Sequence, residues 1–324
     1  MRKSAIILLF LLAVVLSAAV AFIVSVNFGK AEKHEILLQI ADIDEFPTDL
    51  TFMGEPVPLN NFDTRESLDR ELQVNRMWHS QTILLLKRAN RYFPVIEPIL
   101  KVNNVPDDLK YIAVIESQLT NAVSPSGAKG FWQMLQATAG DFGLEVNDDV
   151  DERYNLEKST IAAIRYFKRM KDRYGSWTMA AAAYNIGMGN LSKLIDIQET
   201  NNYYDLVLGE ETERYVFRAL AVKQIFENPQ KYGFDIPTGN LYKPLPYTTV
   251  EVDTTIENIA DFARSQNINY KMLKVLNPWL RSNKLPNKKH KKYYIKLLDP
   301  KFRKIEFAEQ DALQPEDIEL KVGN

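Results

Sequence analysis

The stretch DDLKYIAVIESQLTNAVSPSGAKGFWQ, Asp107 to Gln133, sets the fold problem for the whole chain. Leu109, Ile112, Ala113 and Glu116 fall at i, i+3, i+4 and i+7, which is one face of an amphipathic helix. Three of the four are apolar, and the fourth is a carboxylate. A charge on such a face is costly unless it is paired or protonated. Glu116 is therefore either a helix glutamate satisfied by a nearby Lys or Arg, or a carboxyl whose pKa the site raises. Pro106, Asp107 and Asp108 suit the first turn of this helix, and Asn121 to Lys129, rich in Ser, Pro and Gly, reads as a loop.

Outward from that stretch the chain reads as mainly α. Asp63 and Thr64 open a helical lead-in, expected to break near Val74 and Asn75 and then to be limited by Pro94 and Pro98. Phe131 to Phe142, Leu156 to Tyr174, Trp177 to Gly187 and Glu211 to Asn228 carry helical patterns. The third of these is built of small residues and should pack closely against its neighbours. Residues 235–246, DIPTGNLYKPLP, mark a boundary. Beyond it YTTVEV alternates as a strand, two short helical segments follow, and KYYIKLL closes a β-α-α-β order. The expected organisation is residues 1–30 as membrane anchor or signal peptide, 31–95 as linker and helical lead-in, 96–234 as the main helical domain, 235–246 as linker, 247–298 as a small βααβ module and 299–324 as a charged tail.

Composition limits the chemistry. The chain has 324 residues, 46% hydrophobic and 25% charged, with a formal net charge of −2. No global basic field points to nucleic acid. There is no cysteine, which excludes disulfides and thiol catalysis. His34, His79 and His290 form no ligand motif, so no histidine-based metal site is expected. Arg2 and Lys3 precede an almost unbroken apolar run from Ala5 to Val26, long enough to span a bilayer, which takes about 20 residues. The flanking charges put the N-terminus on the cytoplasmic side and the body of the chain outside. Ala19-Val20-Ala21 also suits signal cleavage, but the run continues past it, which favours an uncleaved anchor.

Four separated stretches carry a resemblance: IESQLTNAVSPSGAKGFWQMLQATA, YNLEKSTIAAIRYFKRM, AAAYNIGMGN and ETERYV. In order and spacing they resemble the lytic murein transglycosylases with a lysozyme-like (goose-type, SLT) catalytic domain, especially the membrane-bound D type. The likeness runs from about Asp63 to Gly233, and the C-terminal module resembles a diverged LysM domain. The resemblance implies cleavage of the β-1,4 bond between N-acetylmuramic acid and N-acetylglucosamine in peptidoglycan, with 1,6-anhydromuramic acid as product. It implies an envelope location, glycan strands as partner and no metal or organic cofactor. Glu116, the glutamate followed by serine, corresponds to the general acid and base. Ser117 and Gln133 correspond to substrate contacts, and Gly127 and Gly130 to loop positions close to the glycan. Tyr184 corresponds to the group that orients Glu116, Asn185 to a loop or sugar contact, and Tyr215 to a cleft residue. Met134, beside Phe131 and Trp132, belongs to the cleft wall or the core.

A hydrolysing muramidase and an inactive glycan-binding scaffold remain open as alternatives. Most glycoside hydrolases need a second carboxylate. Asp141, Glu145 and Asp148 to Glu152 are available, but the last group reads as a solvated acidic loop, and Glu211 reads as a structural partner at a helix start. Gln136, Ile186, Asn190 and Leu119 depart from the family pattern without touching Glu116, Gln133 or Tyr184. Val252 before Asp253 departs from the LysM pattern and puts glycan affinity there in question. The basic run KLPNKKHKKYY reads as a solvated loop or as a contact for an anionic polymer or membrane surface.

Overall fold

The structure, a computed structural model, describes residues 46–304. The apolar run Ala5–Val26 and the tail beyond residue 304 lie outside the described residues. Among the described residues no helix is long and apolar enough to cross a membrane.

The described chain begins with a small hairpin, β1 (Thr51–Phe52) and β2 (Glu55–Pro56), paired antiparallel with Phe52 opposite Glu55. Its two turn residues, Met53 and Gly54, both have positive φ (53° and 78°), the condition for a tight two-residue hairpin loop. Two carboxylates tie this hairpin to distant helices. Asp108 Oδ2 accepts from the Met53 N–H at 2.7 Å and from Lys223 Nζ at 2.7 Å, and Lys223 also donates to Thr51 O. Glu55 accepts from the backbone N–H groups of Trp177 and Thr178 at 2.6 and 3.0 Å, capping a helix N-terminus where a negative charge is favoured.

Helix α1 (Phe62–Met77) and helix α2 (His79–Val102) follow. The break falls at Trp78 (φ −81°, ψ 46°), not at Val74 and Asn75, and α2 runs through both Pro94 and Pro98. The prolines are exposed, so the carbonyls they leave unpaired can meet water. Ile96 and Leu100 beside them are fully buried and hold the helix together by packing. A 3-10 turn, Asp107–Leu109, leads into α3 (Lys110–Ser117), which ends abruptly because Gln118 and Leu119 are both left-handed (φ 55° and 54°).

The helix expected over Phe131 to Phe142 is reduced to α4 (Gln136–Asp141). Gly130 (φ 79°) and Gln133 (φ 46°) turn the preceding chain back on itself, and Lys129 pairs with both Val123 and Met134. Helices α5 (Leu156–Tyr174) and α6 (Trp177–Ile186) match their sequence patterns. In α6 the residues Met179 to Ala183 are completely buried, as a small-residue helix allows. Helix α7 (Met188–Gln198) has no counterpart in the sequence reading. Helix α8 (Glu210–Glu227) is central and packs against α1, α3 and α6.

The C-terminal module has the expected order: β3 (Tyr247–Val252), α9 (Ile259–Ser265), α10 (Tyr270–Leu276) and β4 (Tyr293–Leu298). The strands pair antiparallel from Tyr247 opposite Leu298 to Val252 opposite Tyr293. Fully buried Asn277 is satisfied within this module: its amide donates to Leu273 O and Lys296 O, and its Oδ1 accepts from the Lys296 N–H. The loop Asp148–Glu152 is not the solvated acidic loop its composition suggests. Val150, Asp151 and Glu152 are buried, because this segment packs against the module.

Candidate active site

The amphipathic face is as the spacing requires: Leu109, Ile112 and Ala113 have no solvent exposure, and Glu116 lies one turn further on. Glu116 keeps a partial opening to solvent, yet enough protein surrounds its carboxyl that burial pushes the pKa up from 4.5 to about 7. A hydrogen bond from Tyr215 and the charge of Arg218 act in the opposite sense, and the charge of Glu211 adds to the rise. Among the described residues no Lys or Arg forms an ion pair with Glu116, and its one hydrogen-bond donor is the Tyr215 hydroxyl. The reading of Glu116 as a helix glutamate neutralised by a basic partner therefore fails. The geometry is that of a carboxyl able to carry its proton near neutral pH.

The orienting bond expected from Tyr184 comes from Tyr215 instead. Tyr215 sits on α8, facing α3, with its hydroxyl donating to Glu116 Oε1. Tyr184 donates to the carbonyl of Trp132, and its ring stacks on Phe167 of α5 at 4.6 Å. Burial, followed by the charge of Glu116, pushes both phenols well above their ordinary pKa, so both remain protonated donors. Arg218, one turn after Tyr215, donates to Ile115 O at 3.0 Å and brings its charge to the same carboxyl. The sequence reading missed it, although the i, i+3 spacing from Tyr215 places both on one face of α8.

Several other expected contacts are turned inward. Ser117 is buried, and its hydroxyl donates to Ala113 O at 3.0 Å, one helical turn back, so it does not face the cleft. Met134 is buried and serves through its backbone. Gly130 does allow a close approach, but to the protein itself: a Cβ there would lie 2.1 Å from the Arg153 carbonyl oxygen. At Gly127 a Cβ would meet open space, so its positive φ of 83° is what requires glycine. Gln133 Nε2 donates to Ala122 O and Gly130 O, at 3.0 and 2.8 Å, which braces the loop. Asn185 Oδ1 accepts from Thr212 Oγ1 at 2.6 Å, and its Nδ2 lies 3.4 Å from Glu211, so it ties α6 to the start of α8. Trp132 is core, its indole N–H donating to Thr160 Oγ1 at 2.9 Å. A cavity of about 610 Å3, whose lining includes Trp78, Gln118 and Arg214, shares Glu211 and Arg218 with the surroundings of Glu116. Among the described residues no group of His, Asp and Glu side chains could hold a metal ion.

Residues 93–207, which contain Glu116, Gln133 and Tyr184, match the transglycosylase SLT domain family. Over those residues the chain is similar to that domain. Tyr215, the residue that holds Glu116, lies beyond the matched part of the SLT domain. Residues 248–301 match the soluble lytic transglycosylase C-terminal LysM-like domain, in agreement with the βααβ module. The chain is 28% identical over 250 residues to membrane-bound lytic murein transglycosylase D of Escherichia coli (strain K12), covering 75% of this chain and 53% of that protein. The protein of the same name from Escherichia coli O6:H1 gives the same values. A putative tributyltin chloride resistance protein of Alteromonas sp. (strain M-1) is 32% identical over 110 residues, covering 33% of this chain and 53% of that protein. The chain spans about half the length of the curated relatives it matches.

Proposed function

We propose that the chain is a lytic transglycosylase that cuts the β-1,4 bond between N-acetylmuramic acid and N-acetylglucosamine in peptidoglycan. The observation that carries this reading is the half-buried Glu116, raised to about 7 and held by Tyr215 beside an SLT match. In the first step Glu116 gives its proton to the leaving O4 of N-acetylglucosamine as the bond from C1 breaks. In the second, the Glu116 carboxylate takes the proton of the muramic acid C6 hydroxyl as O6 bonds to C1. The ring closes as a 1,6-anhydro sugar, no water is consumed, and Glu116 ends protonated. A carboxyl that titrates near neutral pH serves both steps. The attack is intramolecular, so proximity replaces much of what a positioned water would contribute.

The Tyr215 hydroxyl and the Arg218 charge favour the carboxylate formed between the two steps. Gln133, with Nε2 committed to Ala122 and Gly130, offers Oε1 to a sugar hydroxyl or N-acetyl N–H. Tyr184 acts through the Trp132 carbonyl, fixing the loop that carries Gln133. The names of the relatives, membrane-bound and murein-directed, support an envelope location, with the Ala5–Val26 run as anchor.

The test incubates the protein and its Glu116→Gln variant with purified peptidoglycan and weighs the products by mass spectrometry. Products one water lighter than reducing muropeptides, formed by the parent alone, are expected. Reducing products would mean hydrolysis and would make Glu211 the carboxylate to replace next. Sedimentation with peptidoglycan and no cleavage would leave a glycan-binding scaffold.

A further inference from the structure

The segment between α4 and α5 has two working sides. One side grips the C-terminal module. The Asp151 N–H donates to Trp279 O at 2.9 Å, and the Arg281 N–H donates to Asp149 O at 2.8 Å. Val150 and Tyr154 are buried in the apolar cluster of the module, with Trp279, Leu280 and Tyr293. Glu145 accepts from the Tyr293 hydroxyl at 2.9 Å and pairs with Lys291, which also reaches Glu152 at 3.4 Å. Ser282 donates to Asp149 at 2.6 Å, and Lys296 pairs with Glu157 at the start of α5. A binding module swinging on a linker has no need of such a seam.

The other side grips the loop that carries Gln133. Asp151 accepts two bonds from the Arg153 guanidinium, at 2.9 and 2.7 Å, and both side chains are buried. A buried, bidentate pair fixes the plane of the guanidinium as well as its place. The remaining arm, Arg153 Nη1, donates to Met134 O at 3.2 Å and to Gly127 O at 3.3 Å, one at each end of the loop. The Arg153 carbonyl occupies the space that a side chain at position 130 would need. Trp132, whose carbonyl receives the Tyr184 hydroxyl, lies between these grips.

We propose that the C-terminal module is a positioning element of the cleavage site, acting through Arg153 on the loop 127–134. Arg153 touches no substrate in this scheme. The module holds the segment 145–157, the segment fixes Arg153, and Arg153 holds both ends of the loop. The effect on cleavage rests on the function proposed above, whereas the effect on the loop does not.

The test uses the full chain. Lys291→Ala with Tyr293→Phe loosens the module's grip on Glu145 and Glu152 without altering the helical domain. Arg153→Lys keeps the charge and loses the fork. In the double variant, amide hydrogen exchange at Gly130 and Gln133 should rise about tenfold while exchange in α8 stays unchanged. Turnover of peptidoglycan should fall about tenfold, with the pH limb set by Glu116 in its original place. Arg153→Lys should show both effects. Lys292→Ala, which removes an exposed charge paired with Glu251 within the module, should show neither. Unchanged exchange in the loop of the double variant overturns the proposal, as does an equal loss in Lys292→Ala. If the parent itself releases no anhydro products, the activity reading fails, and the exchange measurement still decides whether the module positions the loop.

Discussion

Replacing Glu116 by Gln should change the pH dependence of stability in a direction and size set by the site. The folded carboxyl titrates near 7 and its ordinary value is 4.5. Between these values the folded chain binds this proton more tightly than the unfolded chain does. Folding therefore loses stability as the pH climbs through that window. Below 4.5 the carboxyl is protonated in both states and there is no loss. Above about 7 the loss is complete. At ~1.4 kcal/mol per pH unit, the parent gives up about 3 kcal/mol from this one group. Glu116→Gln keeps the shape of the side chain and removes the titration. The stability of the variant minus that of the parent should therefore grow by about 3 kcal/mol between pH 4 and pH 8. Urea unfolding followed by tryptophan fluorescence at closely spaced pH values measures the difference, in which titrations common to both proteins cancel. A flat difference would show that Glu116 ionises like a surface glutamate, and one that shrinks as pH rises would show a carboxyl held below its ordinary value. Its role as a proton donor near neutral pH would fall with either result.

Three further outcomes are expected. Tyr215→Phe removes a hydrogen bond that favours the carboxylate, so the upper limb of the pH–rate profile for peptidoglycan cleavage should move up by about one pH unit; an unmoved limb would mean that the bond does not act on the reacting proton. Gly130→Ala forces a Cβ to within 2.1 Å of a backbone oxygen and should cost at least about 3 kcal/mol, against about 1 kcal/mol for Gly127→Ala, where only the positive φ resists; thermal melting of the two variants would expose an error if they proved equal. Glu55→Gln weakens the cap on α6 and should cost about 1 kcal/mol in urea unfolding, with cleavage activity retained at low denaturant.

Periodicity made Glu116 stand out, because a carboxylate in the register of Leu109, Ile112 and Ala113 breaks a local rule. It also placed α5, α6 and the strands of the module, whose signals lie within a few consecutive residues. What escaped was set by distant partners. The choice between Tyr184 and Tyr215 as the donor to Glu116 depends on how α6 and α8 pack around α3, and nothing in AAAYNIGMGN or ETERYV records it. The acidic run at Asp148 to Glu152 looked solvated because its partners, Lys291, Ser282 and Trp279, lie more than a hundred residues away in sequence. Pro94 and Pro98 were read as helix limits by the loss of their N–H groups, whereas burial of Ile96 and Leu100 overrides that loss. Resemblance assigns Ser117 a substrate contact, but its hydroxyl is spent on Ala113 O one helical turn back, and Met134, open between cleft wall and core, is buried.

The hairpin at the start of the described chain has a consequence for kinetics. Glu55 caps a helix that begins 122 residues later, and the lysine that joins Thr51 to Asp108 lies 172 residues beyond Thr51. Contacts that span so much chain close large loops, and they can form only after the helices they join are in place. Interactions completed after the transition state leave the refolding rate nearly untouched and act on the rate of unfolding. The hairpin is then a latch on the finished domain. Its removal would shorten the lifetime of the native state, and with it resistance to proteases, far more than it would delay folding.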